Sequence, residues 1–207
     1  MIRRLMQMLV CHVLIALGCI SGACANPIPP LEGLEALRKG FSSISDFTAD
    51  ITQEKRLSLM KRNMTMSGMV RFKKPDKFFM LVNPPYSSRM VLIDSVIELD
   101  TGTEGRRNRI ALPPEQGLGH WFSKLASPMT TLPEGVTIQA DLSNSLYTLT
   151  MTPQGKGQVK ELTISFLVDG TIRRLIILER NGDKATMSFK NLRRNTGLTE
   201  RDFMLGN

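Results

Sequence analysis

The chain has 207 residues, 42% of them hydrophobic, with a mean hydropathy near −0.09. That balance supports a packed core and excludes a disordered chain or a multi-span membrane protein. Lys and Arg outnumber Asp and Glu by 27 to 19, a formal +8, but aromatic residues make up only 6% and no dense basic run occurs, which argues against a nucleic-acid partner.

Residues 1–25 read as an export signal: Arg3 and Arg4 precede an apolar stretch over residues 8–20, and Ala23-Cys24-Ala25 supplies a small-x-small cleavage site before Asn26. The stretch is broken by Gly18 and falls short of the roughly 20 residues of a spanning helix. Removing it takes two of the 27 cations and none of the 19 acids, so the remaining 182 residues carry +6. Cys11, Cys19 and Cys24 leave with it, so the domain over residues 26–207 has no disulfide to rely on. Lipid attachment at Cys24 or Cys19 is the rival reading, weakened because neither has the usual leucine three residues upstream.

After Pro27, Pro29 and Pro30, the spacing of Leu31, Leu34, Leu37, Phe41 and Ile44 predicts an amphipathic helix. From Asp46 the period changes to two, with Phe47, Ala49 and Ile51 alternating with polar residues. The next strand sets Met64, Met66, Gly68, Val70 and Phe72 on one face and Met69 on the other. Further strands are predicted at 77–82, 88–93, 96–100 and 106–111. Pro113-Pro114 then opens a short helix whose stripe is Leu118, Trp121, Phe122 and Leu125, closed by Ser127-Pro128. Strands return at 136–142, 146–151, 161–168, 171–179 and 184–192, and the Asp169-Gly170 and Asn181-Gly182 turns make the sheet antiparallel. Roughly ten strands with one helix before them and one among them predict an α+β fold: a strongly curved antiparallel half-barrel with helices covering its concave face.

Enzyme chemistry finds little support. His120 is the one histidine after the signal, so no two-histidine metal site or HExxH motif exists, and its position beside Trp121 reads as the polar flank of a helix. There is no G-x-S-x-G elbow and no P-loop. Asp94, Glu98 and Asp100, or Asp46 and Asp50, could supply an acid and base, but alternation allows them on a solvent face, and one Trp and two Tyr are few for a sugar cleft.

The segments Ser45-Asp46-Phe47-Thr48-Ala49-Asp50-Ile51-Thr52-Gln53, then Ser67-Gly68-Met69-Val70-Arg71-Phe72-Lys73-Lys74-Pro75-Asp76-Lys77-Phe78, then Asn83-Pro84-Pro85 resemble the N-terminal half of the LolA family. Tyr147-Thr148-Leu149-Thr150-Met151-Thr152-Pro153, Leu162-Thr163-Ile164 and Val168-Asp169-Gly170-Thr171-Ile172 are similar to its C-terminal hairpins, in the same order. The resemblance implies an eleven-stranded half-closed barrel with a helical lid. It implies a monomeric periplasmic carrier that shields the acyl chains of outer-membrane lipoproteins. Such a carrier takes its cargo from an inner-membrane release complex, hands it to an outer-membrane acceptor, and has no catalysis and no cofactor. A carrier or sensor of another acylated lipid or glycolipid is the alternative.

Such a job answers a large penalty: a 16-carbon chain in water costs about 12 kcal/mol relative to an apolar site, at roughly 0.8 kcal/mol per methylene. Methionine repacks around varied ligands, so the candidate cavity residues are Phe47, Ile51, Met64, Met66, Val70, Phe72, Phe78, Met80, Met90 and Leu92, with plain core filling as the alternative. The stripe Leu118, Trp121, Phe122 and Leu125 is the candidate lid. Where the family carries an arginine that latches the lid to backbone carbonyls, this chain has Lys74, which keeps the charge and loses the planar fork. The paired arginines 106–107, 173–174 and 193–194, with Arg109, read as solvated faces rather than a headgroup site.

Overall fold

The structure, a computed structural model, describes residues 25–101, 107–113 and 117–205, without the side chains of Trp121, Lys124 and Leu125. Residues 1–24, which hold the three cysteines and nearly all of the expected export signal, and Arg106 lie outside the described residues. The strands are β1 (Asn26–Ile28), β2 (Asp46–Leu57), β3 (Arg62–Lys73), β4 (Lys77–Val82), β5 (Ser88–Ile93), β6 (Val96–Asp100), β7 (Arg107–Ala111), β8 (Val136–Ser143), β9 (Leu146–Pro153), β10 (Val159–Leu167), β11 (Ile172–Glu179) and β12 (Lys184–Arg194). Helix α1 (Pro30–Ser42) follows β1, helix α2 (Leu118–Leu125) follows β7, and a 3-10 turn (Glu200–Phe203) follows β12.

All twelve strands join one antiparallel sheet in the order β1-β8-β9-β10-β11-β12-β2-β3-β4-β5-β6-β7, with β1 and β7 at open edges. This is one or two strands more than expected. The addition is β1, which the sequence reading left in the proline-rich lead-in: three residues are too few to show a period, and Pro27 is tolerated because β1 is an edge. The β2–β3 hairpin is also longer than expected, pairing from Asp46 with Lys73 out to Leu57 with Arg62, because its outer part is charged and hides the alternation. Gly170 and Gly182 adopt φ of 81° and 89°, as the Asp-Gly and Asn-Gly turns require. A third turn, at Asn144 and Ser145, uses φ of 47° and 67° without a glycine, so it carried no sequence signal.

The sheet is bent. Ile164 of β10 and Phe78 of β4 border the same cavity although five strand spacings separate their strands, about 24 Å on a flat sheet. Similarly, the 13-residue α1, about 20 Å long, carries most of the chain's passage from edge strand β1 to β2, six positions away. The inward face is largely apolar: Ala140, Leu149, Ile164, Leu175 and Met187 are successive cross-strand partners from β8 to β12, and, two residues along β12, Phe189, Ile51 and Gly68 are partners from β12 to β3. Two buried clusters form there, one around Phe41, Phe47, Val70, Phe72 and Phe189, the other around Leu34, Ala140, Leu149 and Phe166. Met69 points to the outer face, as its register position predicts.

The outer face has its own small core, where Phe203 and Leu205 pack on Phe79 and Val91. Asp46 anchors this return of the chain: its carboxylate accepts hydrogen bonds from the Thr196 N–H at 2.6 Å, the Thr196 hydroxyl at 2.9 Å and the Gly197 N–H at 3.2 Å. Burial pushes the Asp46 carboxyl up, but these bonds outweigh it and hold the group below the ordinary aspartate value.

Two glycines set how closely α1 approaches the sheet. Gly33 and Gly40 are seven residues apart and so share a helix face. A Cβ on Gly33 would lie 2.7 Å from the Ala140 Cβ, and one on Gly40 would lie 2.6 Å from the backbone nitrogen of Gly170. Backbone cannot yield as a flexible side chain does. Gly40→Ala is therefore expected to lower unfolding stability by about 1–2 kcal/mol, because overpacking exceeds the roughly 1 kcal/mol that alanine gains in helix propensity. Denaturant unfolding checks this, and an unchanged or raised midpoint contradicts the close approach.

Candidate functional site

Between the helices and the bent sheet lies a hollow of about 240 Å³ whose lining is wholly apolar. Helix α1 supplies Leu37 and Phe41, helix α2 Leu118 and Phe122, strands β2–β4 Phe47, Phe72 and Phe78, and strands β10–β12 Ile164, Ile172, Leu175 and Phe189. Four aromatic rings run in contact from one helix to the other and down into the sheet. Phe41 lies 6.4 Å from Phe122, Phe122 4.9 Å from Phe72, and Phe72 5.2 Å from Phe47, centroid to centroid, each pair tilted by 34–38°. Offset, tilted packing of this kind is favourable beyond the area it buries.

The helices are tied by a few polar contacts. Helix α1 begins with proline, whose missing N–H costs nothing at that position. Helix α2 has no cap of its own; Asp94, in the β5–β6 turn at φ 49°, accepts from the Leu118 N–H through its carbonyl at 3.0 Å and from the Gly119 N–H through its carboxylate at 3.1 Å. Behind α2, the Met129 N–H donates to the Glu35 carboxylate of α1 at 2.6 Å, and the Arg38 Nε donates to the same carboxylate. The Met129 bond is the main reason the Glu35 carboxyl sits below its ordinary value of 4.5. At the end of α1, the Lys74 Nζ donates to the Phe41 carbonyl, one of the helix's last oxygens. Burial pushes the Lys74 ammonium down. Lys74, Arg38, Ser42 and Ser123 border a second recess of about 420 Å³ that shares Phe41 and Phe122 with the hollow. A groove of about 600 Å³ on the outer face, beside the C-terminal turn, mixes apolar lining such as Val91, Val96 and Phe203 with the charged Glu98, Arg107 and Arg109, whereas the hollow is wholly apolar.

Of the residues singled out from sequence, Phe47, Phe72, Phe78, Leu118 and Phe122 border the hollow. Ile51 and Val70 are buried in the cluster beside it, and Met80 packs against that cluster. Met90 and Leu92 of β5 share the inward face by register with Met80 and Phe78 but do not border the hollow, and neither do Met64 and Met66, which lie toward the β2–β3 turn. The side chains of Trp121 and Leu125 are outside the described residues. Lys74 touches α1. His120, Arg173, Arg174, Arg193 and Arg194 are exposed. Sequence reasoning missed Leu37, Phe41, Ile164, Ile172, Leu175 and Phe189 as lining. Leu37 and Phe41 belong to the helical stripe already read, and Ile164 alternates with Thr163 and Ser165, so a signal existed for these. Residues 175–178 of β11 are a continuous apolar run, and the register shifts between Ser165 and Phe166, so for Leu175 no period reveals which side faces in.

The chain thus combines an open, bent antiparallel sheet with an apolar hollow bordered by residues of two helices. The chain belongs to the family described as outer membrane lipoprotein carrier protein LolA, which it matches over residues 42–205. Members of that family are carriers or binding proteins. No curated protein matches the chain. Similar solved structures include a LolA superfamily protein from Nitrosomonas europaea, at 8% identity and a TM-score of 0.45, covering 86% of this chain and 98% of that one. They also include a DUF1329 family protein from Desulfovibrio piger, at 13% identity and 0.45, again covering 86% and 98%. The Pseudomonas aeruginosa MucA/MucB complex matches at 16% identity and 0.45, covering 86% of this chain and 61% of that one. Among the described residues, no helix is long and apolar enough to cross a membrane.

The polar ties of α1 lead to two expectations. Replacing Lys74 by methionine removes the Phe41 contact, and amide exchange at the end of α1 should rise severalfold for a loss of about 0.5–1.5 kcal/mol, with arginine at 74 restoring protection. Equal protection in all three proteins contradicts a latch. Because the Glu35 carboxyl is lowered on folding, its contribution is present above pH 4.5 and is lost as pH falls through the lowered value. Met129 amide protection should therefore fall on acidification in the native protein, while Glu35→Gln should remove the Glu35 share of that pH dependence.

Proposed function

We propose that this chain is a periplasmic carrier that shields the acyl chains of lipoproteins between the inner and outer membranes. The observation that carries the reading is the wholly apolar hollow bordered by both helices and by both halves of the sheet. Membership of the LolA family and the family's periplasmic setting support it. On this reading residues 1–25 are the cleaved signal and residues 26–207 the binding domain. An inner-membrane release complex loads the cargo and an outer-membrane acceptor receives it.

Helices α1 and α2 act as the cover. At about 240 Å³ the hollow is smaller than the roughly 300–1,000 Å³ of ordinary ligand sites, so cargo enters by displacing the helices. The tilted rings Phe41, Phe122 and Phe72 are the seal that parts, and the Lys74 and Glu35 contacts are the ties that break. Single hydrogen bonds at the rim suit a cover that must open at every delivery. Beyond the hollow, Ile51, Val70 and Met80, then Met64, Met66, Met90 and Leu92 of the same face, extend the apolar surface along which an acyl chain lies once the cover lifts.

Uptake of a fluorescent fatty-acyl probe tests this. The protein should bind one probe per chain, and a triacylated lipopeptide should displace it. Phe122→Asp places a charge in the apolar lining and should weaken uptake about tenfold or more. No uptake by the native protein, or uptake indifferent to this change, refutes the reading.

A further inference from the structure

The far end of the β2–β3 hairpin carries a feature that the hollow does not use. Its turn, residues 58–61, turns Leu59 and Met60 outward at 91% and 68% exposure. Isolated exposed apolar residues are ordinary, but these two are adjacent, at a tip, and held in place. The Ser58 N–H donates to the Asp183 carboxylate at 2.8 Å and the Lys61 N–H to the Ser58 carbonyl at 3.3 Å, which fixes the turn against the β11–β12 connection. On the other side β4 pairs with β3 only from Gly68 onward, so residues 62–67, about 20 Å of strand, extend beyond β4 while β2 stays paired with β12 out to Arg56.

The tip is ringed by cations. Lys55 and Arg56 precede it, Lys61 and Arg62 follow it, and Lys184 pairs with Arg56 across the strands. The nearby acids are Glu54 and Asp183, and Asp183 is held by Ser58. Among the described residues, none of the five cations forms an ion pair. Two apolar side chains inside a basic collar match the interfacial zone of an anionic bilayer, where the apolar pair enters the headgroup boundary and the cations meet phosphates. Two side chains on a convex tip offer far less than the roughly 1,200 Å² that a stable protein interface buries, which disfavours a protein partner. The same end of the inward face carries Met64, Met66 and Met187, brought together through Lys55 and Gln53, so a tip seated on lipid turns the methionine-lined end toward the membrane.

We propose that Leu59 and Met60, with Lys55, Arg56, Lys61 and Arg62, dock this protein on an anionic lipid surface. The docking does not depend on which acylated molecule fills the hollow. Flotation with vesicles tests it. The protein should bind phosphatidylglycerol-containing vesicles about tenfold more tightly than phosphatidylcholine alone, and added salt should weaken that binding. A Leu59→Ser, Met60→Ser double variant should lose about tenfold in affinity for the anionic vesicles, and a Lys61→Gln, Arg62→Gln variant should bind more weakly and respond less to salt. Both should unfold as the native protein does and take up the acyl probe normally without vesicles, so failure of docking is distinguished from failure of the carrier reading. Absence of native binding to anionic vesicles, variants that bind as well as native protein, or binding that ignores salt overturns the proposal. So does capture of a protein partner through the tip without any vesicle binding.

Discussion

A sheet that is apolar along one face from edge strand to centre cannot leave that face in water. At roughly 25 cal/mol per Å² of exposed apolar surface the penalty rules out a flat arrangement. Bending is what lets two short helices suffice, because it brings β10 and β4 close enough to border one cavity. Every other feature of the inward side depends on that curvature. The close seating of α1 on Gly33 and Gly40, the contact of its Phe41 with Phe122, and the small volume left over all follow from packing helices into a trough rather than onto a plane.

The two faces are stabilised differently, in keeping with their different tasks. The outer face is closed by the C-terminal segment, with Phe203 and Leu205 buried and Asp46 holding Thr196 and Gly197 through three hydrogen bonds. A buried carboxylate satisfied in this way is costly to disturb, so this side acts as a fixed support. The inward side is joined through aromatic contacts and through ties such as the Lys74 and Glu35 bonds. Apolar contacts are non-directional and can be exchanged for contacts with a hydrocarbon at little net cost. A rigid back and an exchangeable front are what the proposed carrier of apolar cargo needs.

Lys74 ties the turn between β3 and β4 to helix α1. Its ammonium reaches the end of α1, where carbonyls lack helical partners, and donates to the Phe41 carbonyl. An arginine fork could span several acceptors at once, whereas the ammonium acts as a compact point charge. The remaining restraint on the helices comes from elsewhere: Asp94 caps α2 from a strand turn, and Glu35 reaches across to Met129.

Much of this was legible in the residues. The period-two alternation of β2 and β3, the helical stripe of α1, and the Asp169-Gly170 and Asn181-Gly182 turns determined an antiparallel sheet with two amphipathic helices. The same alternation placed Phe47, Val70 and Phe72 on one face and Met69 on the other. These are local properties, set by backbone geometry within a few residues. Which inward residues border a hollow is a different kind of fact. Phe72 and Met64 share a face of β3, yet one borders the hollow and the other lies toward the β2–β3 turn, beyond the reach of β4. Leu175 and Phe189 come from the other half of the chain and meet Phe72 only because the sheet bends and β12 pairs with β2. Strand β1 escaped notice because three residues carry no period, and its place beside β8 is decided by a pairing more than a hundred residues away. Alternation tells a side chain which way to face; only the bent path of the whole sheet decides what it meets there.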